Sequence, residues 1–147
     1  SRRQRQMCIR DRFKILLLIL IFSCSNFKYN LYSKQNGIEL HYTFNSKNNF
    51  TKIIITKEKV LNKNNKLVTS NITSADYWQT CIQLLSKLEL KKLTTIKAPS
   101  SKRYFDGAPH AILSIKIAGE EINTPFFDHG FPPKEIAALI NHILLSL

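Results

Sequence analysis

Hydrophobic residues recur at every second position in parts of this chain and at every third or fourth in others, and that change of period restricts it to an α+β fold. Residues 38–44 alternate with period two, residues 50–60 are rich in Ile and Thr, and residues 66–72 alternate more weakly. Asn and Lys clusters at 45–49 and 62–65 mark turns between them, so a three-stranded antiparallel meander is expected. A helix follows: Thr73 and Asp76 have capping-box spacing, and Trp78, Cys81, Ile82, Leu85 and Leu88 form one apolar stripe. Residues 90–97 are ambiguous, and Ala98-Pro99-Ser100-Ser101 breaks the chain. Residues 111–117 and 121–127 then flank a hairpin turn in which Gly119 would supply the positive φ of a type II′ turn. Alternation assigns Leu113, Ile115, Ile117, Ile122, Thr124 and Phe126 to one face. Pro132-Pro133 opens a last helix carrying Ile136, Ile140, Ile143, Leu144 and Leu147. The expected order is βββαββα, an antiparallel sheet of meander plus hairpin with two helices packed on one face.

The amino-terminal part has a different character. Residues 1–12 contain Met7-Cys8-Ile9-Arg10-Asp11-Arg12, similar to a translated sequencing-adapter end, and are expected to be foreign to the natural chain; the alternative is a basic n-region. The unbroken apolar octet at 15–22 is too short for a transmembrane helix, which needs about 20 apolar residues, and fits the roughly 7–15 of a secretory signal. Ile21-Phe22-Ser23-Cys24 resembles the lipobox of bacterial lipoproteins. That resemblance implies a signal peptide at 13–23, cleavage before Cys24 and lipidation of its thiol. Residues 24–36 then read as a lipidated tether and 37–147 as a single domain. The chain is thus expected to be held at a membrane by lipid, without spanning it.

Charge and cysteine content narrow the function classes. The formal charge is +12 from 22 basic and ten acidic residues, but residues 1–24 hold six of the basic and one of the acidic. Of the 16 basic residues that follow, only Arg103 is arginine. Nucleic-acid recognition relies on clustered arginine, so no nucleic-acid partner is expected; a lysine-rich surface suits anionic head groups or an acidic polymer. With Cys8 and Cys24 set aside, Cys81 is alone, which leaves no disulfide and no zinc pattern, and its stripe makes it a buried hydrophobe. There is no Gly-rich phosphate loop, G-x-S-x-G elbow or H-E-x-x-H helix, so no cofactor is expected.

Polar residues gather where the carboxy-terminal hairpin opens. Asp106-Gly107-Ala108-Pro109-His110-Ala111 leads into one strand and Phe127-Asp128-His129-Gly130-Phe131-Pro132-Pro133 leaves the other. A turn at Gly119-Glu120 would pair His110 with His129 on the face away from the apolar set. With Asp106 nearby, these groups are the candidates for a metal-dependent hydrolase. In the structural reading of the same corner, Asp106-Gly107 and Gly130 make turns, and Asp128 accepts backbone N–H groups near the last helix. His41 and His142 are expected to be surface or half-buried residues. These stretches, together with the lipobox, resemble an uncharacterised group of small bacterial envelope lipoproteins, a likeness that implies no mechanism. The expected function is a non-enzymatic module binding an envelope protein or polymer, with Ile112, Phe127 and Phe131 as its contact patch.

Overall fold

The computed structural model describes residues 35–147; residues 1–12, the signal at 13–23, Cys24 and nearly all of the tether lie outside the described residues. A 3-10 turn, Gln35–Gly37, leads into β1 (Ile38–Asn45), β2 (Phe50–Ile55), β3 (Lys59–Asn64) and β4 (Val68–Ile72). Helix α1 (Ala75–Ser86), a 3-10 helix (Leu90–Thr95) and the short helix α2 (Lys102–Phe105) follow. The chain closes with β5 (His110–Ile117), β6 (Glu120–Asn123), β7 (Phe127–Asp128) and α3 (Ala137–Leu144). The α+β class and the antiparallel sheet are as the two periods require. The strands run in the order β4-β3-β2-β1-β5-β6, with β7 also pairing β5.

Alternation in β1 and β5 sorts the two faces of the sheet. Ile38, Leu40 and Tyr42 from β1, with Ala111, Leu113, Ile115 and Ile117 from β5, are buried on the inner face. Trp78, Cys81, Ile82 and Leu85 of α1 and Leu139, Ile140 and Ile143 of α3 join them in one core. Both helices therefore lie on the same side of the sheet, as expected. Tyr77 ties them together: its ring stacks on His142 at 4.4 Å, its hydroxyl donates to the Ile143 carbonyl at 3.3 Å, and His142 Nε2 lies 3.1 Å from the Tyr77 carbonyl.

The meander has four strands, not three, because residues 50–60 are not one strand. The Thr56 hydroxyl accepts from the backbone N–H of Glu58 at 3.3 Å and of Lys59 at 3.1 Å, a local bond that turns the chain there. The next turn is displaced to residues 64–67, where Asn64 Oδ1 accepts from the N–H of Lys66 and Leu67. Residues 90–95, ambiguous by pattern, form the 3-10 helix that buries Leu90 and Leu93.

The cap of α1 is also shifted by one residue. Ser74, not Thr73, is the N-cap, and its Oγ accepts from the Tyr77 N–H at 3.2 Å. Thr73 is nearly buried and donates its hydroxyl to the Thr56 carbonyl at 2.9 Å, which holds the helix start against the β2–β3 turn. Ser74→Ala is accordingly expected to cost about 1 kcal/mol in urea unfolding. Equal stability of the two chains would return the cap to Thr73.

The carboxy-terminal hairpin departs from expectation in register. Ile117 pairs with Glu120, so Ala118 and Gly119 form a two-residue turn. Both have positive φ, 52° and 89°, which makes the turn type I′ instead of II′. Further along, Ser114 faces Asn123, yet Ala111 faces Phe127, so the second strand has gained one residue relative to the first. That is a β-bulge, at Pro125-Phe126, where proline has no N–H to offer a ladder. The Thr124 hydroxyl fills the gap by accepting from the Leu113 N–H at 3.1 Å, while the Thr124 N–H donates to the Leu113 carbonyl at 2.9 Å. Beyond the bulge the faces exchange. Phe126, expected inside, is 51% exposed, and Phe127, expected in a contact patch, is fully buried.

Candidate functional site

The bulge decides what the carboxy-terminal corner contains. With the register moved, His110 pairs with Asp128 and not with His129. Asp128 lies on the outer face of the sheet beside His110, and His129 follows it into a β-turn closed by the Phe131 N–H donating to the Asp128 carbonyl at 2.9 Å. Gly130, third in that turn with φ of 88°, takes the left-handed conformation that a type II turn demands there.

His129 is thereby carried to the inner side. Its Nδ1 lies 2.8 Å from the Tyr42 hydroxyl, and its ring stacks on Phe44 at 4.0 Å with a 9° interplanar angle. Burial lowers its pKa, and burial raises that of Tyr42. His110 instead meets the edge of Phe126 at 5.3 Å. The two histidines therefore occupy opposite faces, and the expected His110–His129 pair with Asp106 does not assemble. Asp106 is exposed at the C-cap of α2, followed by Gly107 with φ of 62°. Among the described residues no group of three or more His, Cys, Asp or Glu is placed to hold a metal ion.

His129 makes a prediction about pH. A histidine that stays neutral when folded and protonates freely when unfolded costs nothing above about pH 6.5; below that, protons bind the unfolded chain first and stability falls. His41 acts in the same direction, its pKa lowered by burial despite the 2.8 Å hydrogen bond that its Nε2 donates to Glu39, and with Lys52 and Lys116 nearby. It lies on the outer face with Glu39 as alternation predicts, but is only 7% exposed, deeper than expected. The melting temperature should therefore fall between pH 7.5 and pH 5, and His129→Asn should flatten part of that fall. An unchanged slope in the variant would remove His129 from the account.

Asp128 is the best-connected polar group of the corner, and what it binds is α2 and not the last helix. Its carboxylate accepts from the backbone N–H of Lys102 at 2.8 Å and of Arg103 at 3.0 Å, and from the Arg103 guanidinium at 3.1 Å. Its side chain is 1% exposed and that of Arg103 is 11% exposed. Burial alone would raise the carboxyl, but hydrogen bonds from Ser100, Arg103 and Lys102 outweigh it and hold the pKa at about 2. Arg103 also donates to the Ser100 carbonyl at 2.7 Å. Its isolation among fifteen lysines after residue 24 was the one sequence signal of a placed guanidinium.

Anchored in this way, α2 displays side chains outward. Tyr104 and Phe105 are 71% and 84% exposed, and Phe126 and Phe131 are each 51% exposed. These are the exposed aromatic residues among the described part of the chain, and all belong to α2 or to the segments flanking β7. The Lys102 ammonium lies 4.9 Å from the Phe131 ring centre and the Arg103 guanidinium 4.3 Å from that of Tyr104. Two residues past Phe131 begins an open groove of about 500 Å³ whose lining carries Lys92, Lys97 and Lys134 against one acidic residue, Glu135, with Ile96 and Pro133 as apolar walls. Of the expected contact patch, Phe131 is exposed, Ile112 is half-buried on the outer face and Phe127 belongs to the core. Periodicity did not mark Tyr104, Phe105 or Phe126, because residues 102–105 are too few to show a helical period and the bulge reverses the strand's alternation.

Cys81 is fully buried, and burial pushes its thiol up to about 12, which removes it as a nucleophile. No protein family, curated protein or solved structure matches the chain.

Proposed function

We propose that this protein is a lipid-anchored binding module of the bacterial cell envelope, tethered through Cys24 and engaging an acidic envelope protein or polymer with its α2–β7 corner. The observation that carries the binding part is the corner itself. Aromatic side chains exposed by half or more, with the Lys102 ammonium over the Phe131 ring and a groove carrying three lysines next to them, offer both apolar area and positive charge to a ligand. The anchoring part rests on the sequence, in which the apolar octet ends at Ser23-Cys24. Among the described residues no helix is long and apolar enough to cross a membrane. Attachment by lipid is consistent with that arrangement, since each buried methylene contributes about 0.8 kcal/mol.

Metabolic labelling with a clickable fatty acid tests the anchor. The parent chain is expected to take up label and a Cys24→Ala chain to take up none; equal labelling of both would end the proposal. The corner is tested by retention of envelope material on the parent protein and on a Phe105→Ala, Phe131→Ala double variant of unchanged melting temperature. Retention by the parent alone is expected, and equal retention would move the contact surface elsewhere.

A further inference from the structure

Among the described residues, the β4 edge of the sheet is open. β4 ends the strand order, pairs only with β3 among the described strands, and is exposed at all five of its residues. Natural edge strands are shielded by lysine, proline, a bulge or a covering segment. Leu67-Val68-Thr69-Ser70-Asn71-Ile72 has no charge and no proline, and Val68 and Ile72 are 60% and 91% exposed.

The hydrogen bonds to β3 determine which backbone groups remain free. The Asn64 N–H donates to the Leu67 carbonyl at 2.9 Å and the Thr73 N–H to the Glu58 carbonyl at 3.1 Å, and Lys59–Ile72 pair in register between them. Hydrogen-bonded pairs alternate along an antiparallel ladder, so Leu67, Thr69, Asn71 and Thr73 turn their N–H and C=O toward β3. Val68, Ser70 and Ile72 turn theirs away from the sheet. Their side chains share one face, the outer one, since Ser70 pairs with Leu61 and Leu61 with Ile54.

We infer that β4 pairs antiparallel with β4 of a second copy of this chain, about a two-fold axis passing beside Ser70. This strand is complementary to itself in that register. Ser70 then exchanges both hydrogen bonds with Ser70 of the second copy, and Val68 does so with Ile72, so every outward N–H and C=O from 68 to 72 finds a partner. On the outer face Val68 packs against Ile72 of the second copy, which covers the strand's two exposed aliphatic residues. A shift of the axis to Val68 or Ile72 would leave outward groups of β4 beyond the end of the other strand.

Charge favours a second copy at this edge and not at other surfaces. After the proposed cleavage the chain keeps 16 basic and nine acidic residues, a net +7, so two copies repel wherever lysines meet, whereas this edge brings none face to face. Lys63, beside Val68 on β3, is three strand spacings, about 14 Å, from Lys59 of the second copy, beyond the Debye length of roughly 8 Å at physiological salt. Lys66 falls opposite Ser74. The result is a continuous sheet across two protomers, a closed two-fold interface with no further copies added at this edge.

Oxidative cross-linking of the full chain in membranes tests the register. Ser70→Cys places two thiols on a hydrogen-bonded pair about 5.5 Å apart at Cα, within disulfide reach. It should yield a covalent species of twice the chain mass, above the background set by the parent, in which the proposed processing removes Cys8 and lipidates Cys24 and leaves only the buried Cys81. Thr69→Cys, on the other face and diagonal to its copy, should stay at background. In detergent solution the parent should sediment as a dimer, and Ser70→Pro and Ser70→Lys as monomers with the parent's melting temperature, because the Ser70 N–H bonds nothing within its own sheet. The inference is overturned if the parent stays monomeric across the micromolar range, if Thr69→Cys cross-links as well as Ser70→Cys, or if the folded proline and lysine variants dimerise like the parent.

Discussion

Phe127→Ala is expected to destabilise the domain by about 3–5 kcal/mol, while Phe126→Ala should change stability by no more than about 0.5 kcal/mol. The two residues are adjacent and identical, and only the bulge at Pro125-Phe126 distinguishes them. Phe127 is fully buried, its ring centre 6.3 Å from that of Tyr42, and truncation would leave a cavity beneath the start of β5. Phe126 projects to the outer side, with His110 at its edge, where water replaces the lost contact. Urea unfolding of both variants reads the difference directly. A reversed order of the two effects would mean that the strand runs unbroken from residue 121 to 127 and that Phe126 faces the core.

Asp128→Ala should lower the melting temperature more than removal of any other single polar side chain among the described residues. It leaves the Lys102 and Arg103 N–H groups without their acceptor and strands a guanidinium that is 11% exposed. Asp128→Asn, which keeps one acceptor oxygen but no charge, should fall between the parent and the alanine variant. The effect has a defined pH window. The folded carboxyl titrates near 2 and a free aspartate near about 3.9, so the native state holds its proton less tightly. The stabilisation is therefore complete above about pH 4 and is lost as pH falls toward 2. This acid limb lies well below the histidine-dependent fall between pH 7.5 and pH 5, so the two can be separated by one titration. An acid limb that persists unchanged in Asp128→Asn would assign it to other carboxyl groups.

These variants also bear on function, because α2 depends on Asp128 for its attachment. If the aromatic corner is the contact surface, Asp128→Ala should weaken ligand retention without touching an exposed residue, and Phe127→Ala should act only by unfolding. The hydrolase expectation depended on a turn at Gly119-Glu120 and an unbroken second strand; the turn lies one residue earlier, at Ala118-Gly119, and the bulge then exchanges the faces. His110 and His129 were correctly recognised as neighbours of the hairpin's open end, yet one extra residue places them on opposite faces of the sheet.

Local pattern accounts for a large part of the architecture. The period-two runs in β1 and β5, the stripe of α1 and the isoleucines at 136, 140 and 143 were legible because hydrophobic burial acts on each element by itself. Turn chemistry was partly legible. Gly119 and Gly130 marked reversals, but Thr56 closes its turn with a side-chain hydroxyl, which composition does not distinguish from a strand residue. Pro125 was a visible warning of a bulge within an apparently continuous strand.

By itself, then, the sequence determined the fold class, the faces of the long elements and the basic, lysine-rich surface, since each follows from side-chain period or from composition. Register, the partner of Asp128, the inward turn of His129 and the outward display of Tyr104 and Phe105 were decided only by tertiary structure. The reason is geometric. A strand's faces exchange with every residue inserted, so one bulge set by pairing with β5 reverses what the pattern on either side of it means.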